Sequence, residues 1–346
     1  MLKINKFIYH CIATVLILSN VAESCEIVLS SSRSEDGRSG ELTSPSYPES
    51  YPENIECTYR FLTSGNERTQ IIFTEFRLYE STAKKVPQID SAQMDVLGAV
   101  TVPEGREPTE CRANEEDHLT VYVKTPSDEN RLREIKTFCH DRVPPQIMSS
   151  RNELRIEFQS YAREVSAKGR FRWKIVWRFV KNYGIRSGVQ TRKDVCHFEF
   201  YSNMSSNGTV RSPNYPGYYP RDTDCLYIFH GKHDEKVILQ FTYFDVEGYM
   251  NCENVTRSDY LEFSNYVSHD RNIPRYCGNR APTKMVSEKN YYRMILHSNS
   301  LFDATGFEAL YQFTNISKTP AIQRVKQMAS SSSEGRPKAA QILFES

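Results

Sequence analysis

GELTSPSYPESYPENIECTYRF, running from Gly40 to Phe61, recurs without a gap as GTVRSPNYPGYYPRDTDCLYIF from Gly208 to Phe229, identical at 10 of 22 positions. An offset of 208 − 40 = 168 in a chain of 346 residues divides it into two copies of one unit. Each copy is long enough to bury its own core. The offset persists at Phe73 and Phe76 against Phe241 and Phe244, then falls to 252 − 111 = 141 at the next cysteine. The first copy therefore holds 168 − 141 = 27 extra residues, read as an insert over 81–110. Pro87, Pro103, Gly105 and Pro108 among scattered charges suit a mobile surface loop grafted onto a strand connection.

Outside the repeated block the apolar residues alternate. Phe171, Trp173, Ile175, Trp177 and Phe179 share one parity, and Arg170, Arg172, Lys174 and Arg178 take the other. Leu154, Ile156 and Phe158 alternate with polar residues in the same way, as do Phe307, Ala309, Tyr311 and Phe313. Both copies thus end in antiparallel strands with one buried face. No comparable run has a helical period, so the fold class is all-β, with two antiparallel β-sandwich domains in tandem. The 21 tyrosines and 18 phenylalanines agree with pleated sheet.

Lys3 and Lys6 precede an apolar run from Phe7 to Leu18, and small residues Ala22 and Ser24 follow it. That order is a secretory signal peptide over 1–24, cleaved after Ser24. Of the nine cysteines, Cys11 goes with it. Cys25, Cys57, Cys111, Cys139, Cys196, Cys225, Cys252 and Cys277 remain, an even set suited to four disulfides in an oxidising compartment. No later stretch reaches the ~18 apolar residues of a membrane span, so the protein is read as secreted. Glycosylation sequons at Asn203, Asn207, Asn254 and Asn315 suit that route. The domains are then 25–181 and 196–316, joined by a linker over 182–195 with Gly184 and Gly188, and followed by a polar, disordered tail over 317–346.

With 44 Lys+Arg against 43 Asp+Glu and no dense basic run, the chain lacks the charge that nucleic acid or anionic membranes attract. It has no HExxH helix, GxSxG elbow or phosphate-cradling glycine loop, and no enzyme is expected. His118, His140, His197 and His297 sit beside strands or cysteines as structural histidines. The row Arg170, Arg172, Lys174, Arg178 reads first as a solvated strand face, and second as a basic ridge for an acidic partner or glycosaminoglycan.

Ser-Pro-x-Tyr-Pro-x-x-Tyr-Pro before a cysteine, at Ser44 to Cys57 and Ser212 to Cys225, resembles the CUB domain. Phe241 to Glu247, Cys252, Asp259-Tyr-Leu, Tyr276-Cys277-Gly278 and Gly306-Phe307 extend the resemblance over the second copy. It implies jelly-roll-like sandwiches and sequential pairing: Cys25 with Cys57, Cys111 with Cys139, Cys196 with Cys225, Cys252 with Cys277. It also implies a calcium site in the second copy, where Glu247, Asp259 and Asn299 stand at the positions of two carboxylates and a third replaced by an amide. Asp303 stands nearby. In the first copy Tyr79, beside Glu80, and Tyr161 replace the outer acids around Asp117, so no calcium is expected there.

ERTQIIFTEF from Glu67 to Phe76, NYGI from Asn182 to Ile185 and DYLEFSN from Asp259 to Asn265 are similar to the suppressor-of-lurcher proteins. Those are CUB auxiliary subunits of ionotropic glutamate receptors, related in role to the Neto proteins. That similarity implies binding to a membrane receptor ectodomain at synapses, with regulation of extracellular proteolysis and matrix or carbohydrate binding as alternatives.

Overall fold

The computed structural model describes residues 23–32, 38–80, 111, 116–163, 169–248, 252, 257–268 and 274–315. The signal segment up to residue 22, the insert over 81–110, Asn254 and the tail over 317–346 lie outside them.

The first domain contains β1 (Glu23–Ser30), β2 (Ser39–Thr43), β3 (Ile55–Leu62), β4 (Arg68–Arg77), β5 (His118–Thr125), β6 (Asp128–Cys139), β7 (Ile147–Met148), β8 (Glu153–Gln159) and β9 (Arg172–Val180). They form one sheet in the order β1-β3-β8-β5-β6 and a second in the order β2-β9-β4-β7. The second domain contains β10 (Val189–Arg192), β11 (Cys196–Tyr201), β12 (Asn207–Arg211), β13 (Thr223–His230), β14 (Glu235–Asp245), β15 (Tyr260–Ser264), β16 (Arg275–Tyr276), β17 (Met285–Val286), β18 (Tyr291–Ser298) and β19 (Gly306–Asn315). Its sheets run β10-β11-β13-β18-β15-β16 and β12-β19-β14-β17. Both domains are therefore β-sandwiches of one design.

The alternation reads directly into the core. Trp173, Ile175, Trp177 and Phe179 of β9 are buried, as are Tyr59 and Phe61 of β3 in the facing sheet. The Trp173 ring meets Tyr59 edge-on at 5.3 Å and Phe158 at 5.7 Å, joining the two layers. Replacing a fully buried tryptophan by alanine costs about 3–5 kcal/mol. Trp173→Ala is therefore expected to lower the unfolding free energy of the first domain by that amount, read as a fall in its urea midpoint.

One pair of core residues breaks the period. Phe73 and Phe76, three apart, both face inward and meet at 5.6 Å, as do Phe241 and Phe244. A β-bulge makes this possible: the β4–β9 register skips between Phe73 and Glu75, and the β14–β19 register between Phe241 and Tyr243. The extra residue is a threonine in both copies, and its hydroxyl donates to the partner strand at Lys174 O (3.3 Å) and Glu308 O (3.2 Å).

Cys25 faces Cys57 across the parallel pair β1–β3, and Cys196 faces Cys225 across β11–β13; each pair is bonded. Cys111–Cys139 and Cys252–Cys277 are bonded as well, so all four crosslinks fall within domains. The segment over 182–195, read as a linker, carries β10, which pairs with β11, and its Tyr183 and Ile185 are buried in the second core. The basic row is already partnered. Arg172 is paired with Glu75, Lys174 with Glu41 at 2.9 Å and Arg170 with Glu49 at 3.8 Å, while Arg178 donates to Gln70. Three of the four cations thus face carboxylates and the fourth an amide, so the row does not stand as an unpaired basic ridge.

Candidate calcium and recognition site

At one end of each sandwich the same polar frame is built around a buried aspartate. In the second domain Tyr219, from the repeated motif, donates its hydroxyl to Asp259 Oδ2 at 2.6 Å and accepts from the Glu247 backbone N–H at 3.0 Å. The Asn299 N–H donates to Asp259 Oδ1 at 2.6 Å, and the Asp259 N–H donates to the Glu247 carboxylate at 3.1 Å. The three expected ligand residues, Glu247, Asp259 and Asn299, are thus brought together. Asn299 is held by its side chain too, donating to Arg257 O at 2.7 Å and accepting from the Leu301 N–H at 2.6 Å.

Burial and the nearby Glu247 carboxylate push the Asp259 carboxyl up to about 7, despite the bonds from Tyr219 and Asn299 that oppose the rise. Among the described residues no lysine or arginine forms an ion pair with Asp259 or Glu247. Asp303 does not supply the missing charge, because it is committed to a buried ion pair with Arg221. The donors present, two carboxylates, an amide oxygen and a phenol oxygen around an uncompensated buried acid, fit a hard cation with oxygen ligands.

The first domain has the same frame with a different filling. Tyr51 donates to Asp117 Oδ2 at 2.8 Å and accepts from the Tyr79 N–H at 3.0 Å, while the Tyr161 N–H donates to Asp117 Oδ1 at 2.8 Å. Here Arg163 folds in. Its Nη2 lies 3.8 Å from Asp117 Oδ2 and donates to Tyr51 O at 2.9 Å, and its guanidinium sits 4.6 Å over the Tyr51 ring and 5.1 Å from the Phe171 ring centre. Burial raises the Asp117 carboxyl, and Arg163 counters part of that rise. Matching Tyr161 to Asn299 puts Leu301 where the first copy has Arg163. Leu301 is 46% exposed and its neighbour Phe302 64%, so this loop offers apolar surface beside the acids instead of filling the site. Motif matching supplied Asp117 and Asp259; it missed Arg163, whose only sequence signal is its alignment with a leucine.

A second group, Glu116, Cys139 and His140, is drawn together near β6. The Cys139 sulfur is in the bond to Cys111 and offers no thiolate, which leaves a 3.3 Å contact between His140 Nε2 and Glu116.

A family model described as the CUB domain matches residues 32–101 and 196–311. These matches cover more than half of the chain, and the chain belongs to the CUB domain family. The dorsal-ventral patterning protein tolloid of Drosophila melanogaster is 26% identical over 303 residues, 79% of this chain and 25% of tolloid. Human neuropilin-2 is 26% identical over 280 residues, 79% of this chain and 24% of that protein. The chain thus spans about a quarter of these relatives' length. Among solved structures, the CUB1-EGF-CUB2 domain of human MASP-1/3 shares 19% identity over 80% of this chain and 100% of its own, with a TM-score of 0.29. The MASP-1 CUB2 domain bound to Ca2+ shares 23% identity over 33% of this chain and 96% of its own, with a TM-score of 0.28. CUB domains are extracellular protein-interaction modules, and among the described residues no helix is long and apolar enough to cross a membrane.

Proposed function

We propose that the chain is a secreted, non-enzymatic recognition protein whose second domain binds calcium through Glu247, Asp259 and Asn299 and engages a receptor ectodomain beside that site. The observation that carries this reading is the contrast between the copies: Asp117 has Arg163 beside it, whereas among the described residues no lysine or arginine pairs with Asp259 or Glu247. Calcium would order the loop from Asn299 to Asp303 and neutralise Asp259, leaving carboxylate oxygen for a lysine or arginine of the partner. Leu301 and Phe302 then offer apolar contact to the residues flanking that cation.

The receptor class is an ionotropic glutamate receptor, supported by the similarity of Glu67 to Phe76, Asn182 to Ile185 and Asp259 to Asn265 to the suppressor-of-lurcher proteins. Asn203 and Asn207 are exposed, as glycan acceptors must be, while Asn315 is half-buried and donates to Asp234. The test is affinity capture from neuronal membranes in millimolar calcium, with wild type and Asp259→Asn as baits. Recovery of a glutamate receptor by wild type alone supports the proposal. Equal recovery by both baits removes the site from recognition, and no receptor on either removes the receptor class.

A further inference from the structure

We infer that the second domain docks onto the first through its own copy of the repeated motif, so that the two sandwiches move as one body. At four positions the copies differ in a concerted way. Where the first copy has Ser46, Glu49, Glu53 and Asn54, the second has Asn214, Gly217, Arg221 and Asp222. The first four are exposed, whereas Asn214, Gly217 and Arg221 are buried. Both Ser46 and Asn214 take the left-handed backbone, with φ of 61° and 59°, so the turn is common to both copies and only the side chains are specialised.

Each specialised residue meets the first domain. Asn214 Oδ1 accepts from Gln70 Nε2 at 2.5 Å and Gln146 Nε2 at 2.7 Å, and its Nδ2 donates to Gln146 O at 3.1 Å. The N–H of Tyr218 donates to the same carbonyl at 2.9 Å, and its ring packs against the first core. Gly217 is required by space: a Cβ there would lie 2.1 Å from Gln146 O. Arg221 donates to Glu134 O at 3.0 Å and Ile135 O at 3.5 Å while paired with Asp303. Those carbonyls belong to β6, the edge strand of its sheet, where the β5–β6 register slips and Ile135 is bulged. Arg221 thus caps backbone that the bulge leaves without a ladder partner. Asp222 accepts from the Ser127 hydroxyl at 2.5 Å and its N–H at 3.2 Å. A set of mutually satisfied hydrogen bonds, buried at Gln70 and Asn214, part-buried at Gln146 and Arg221 and exposed at Ser127, fixes geometry more strictly than apolar contact does.

The test returns a first-copy residue to the second copy, as Gly217→Glu, a change that a CUB sandwich already accommodates at Glu49 and that leaves the Arg221–Asp303 pair in place. In the full disulfide-bonded chain, hydrogen exchange at the Tyr218 amide is expected to accelerate at least about tenfold. Exchange along β13 should stay unchanged, and X-ray scattering should show a larger radius of gyration. If β13 also loses protection, Gln146→Ala, made on the first domain, decides: faster exchange at Tyr218 supports the docking and an unchanged rate overturns it. An unprotected Tyr218 amide in wild type, or wild-type scattering that needs a spread of domain angles, also overturns it. Calcium is absent throughout, so the outcome is independent of the metal reading.

Discussion

Calcium is expected to stabilise the second domain strongly at pH 8 and hardly at all at pH 5, and Asp259→Asn should remove the response at every pH. Without metal, Asp259 titrates near 7 in the folded domain against an ordinary 3.8. Between those values the folded state holds a proton that the unfolded state has released. Its contribution to stability is therefore full below pH 4 and is lost as the pH rises through 7, a fall of at most about 4 kcal/mol. Calcium competes with that proton. Extracellular sites of this donor set bind at about 0.1–1 mM, so 5 mM calcium adds about 1–2 kcal/mol once Asp259 is ionised. That corresponds to a rise of about 5 °C or more in the melting temperature of the second domain. Asp259→Asn discards the charge and keeps only one of the two oxygens that accept from Tyr219 and Asn299, so the sandwich should stay folded, though less stable, with both its pH slope and its calcium response flattened. Asp117→Ala, in the first domain, should leave the calcium response as it is in wild type. Melting curves over pH 5–8 with and without calcium, with calorimetric titration at pH 8, measure all of this. A wild-type melt that ignores calcium at pH 8 would show that Asn299, in place of a third carboxylate, has abolished the site.

Much of this arrangement was legible before any coordinates, because a strand with one wet face must alternate. Parity alone puts Trp173, Ile156 and Phe307 in the core, and they are fully buried. The bulge is not readable from the alternation, since a local insertion of one residue leaves no composition signal and shows only in the strand register. The partnering of the basic row could not be read, because Arg172 and its partner Glu75 are separated by 97 residues and meet only through strand register. The family pattern places Asp259 but does not show that among the described residues no lysine or arginine pairs with it, which goes with a loop residue, Leu301, that motifs do not constrain. The domain junction was written in the sequence as differences between the repeats. They become readable only when the first copy shows which residues the fold itself does not require.

Arg163→Leu, which gives the first domain the residue its twin carries at that position, is expected to destabilise it by about 3 kcal/mol at neutral pH. Removing one partner of a buried pair leaves the other charged and unsolvated, and the 3.8 Å separation places this pair at the low end of that range. The stacking over Tyr51 is lost as well. The ionic part of the deficit exists only while Asp117 is ionised, so the deficit should shrink as the pH falls through the raised titration range of that carboxyl, leaving in acid only the lost stacking and the lost bond to Tyr51 O. A deficit that is the same at pH 4 and pH 8 would mean that Arg163 acts by packing alone. Adding Tyr79→Glu and Tyr161→Asn to Arg163→Leu rebuilds the second domain's donor set around Asp117. This triple variant should recover stability when millimolar calcium is added, whereas the single variant should not. Recovery would show that in this chain a guanidinium and a calcium ion are alternative solutions to one problem: a CUB frame that buries an aspartate between a tyrosine hydroxyl and a loop amide must supply it with a positive charge.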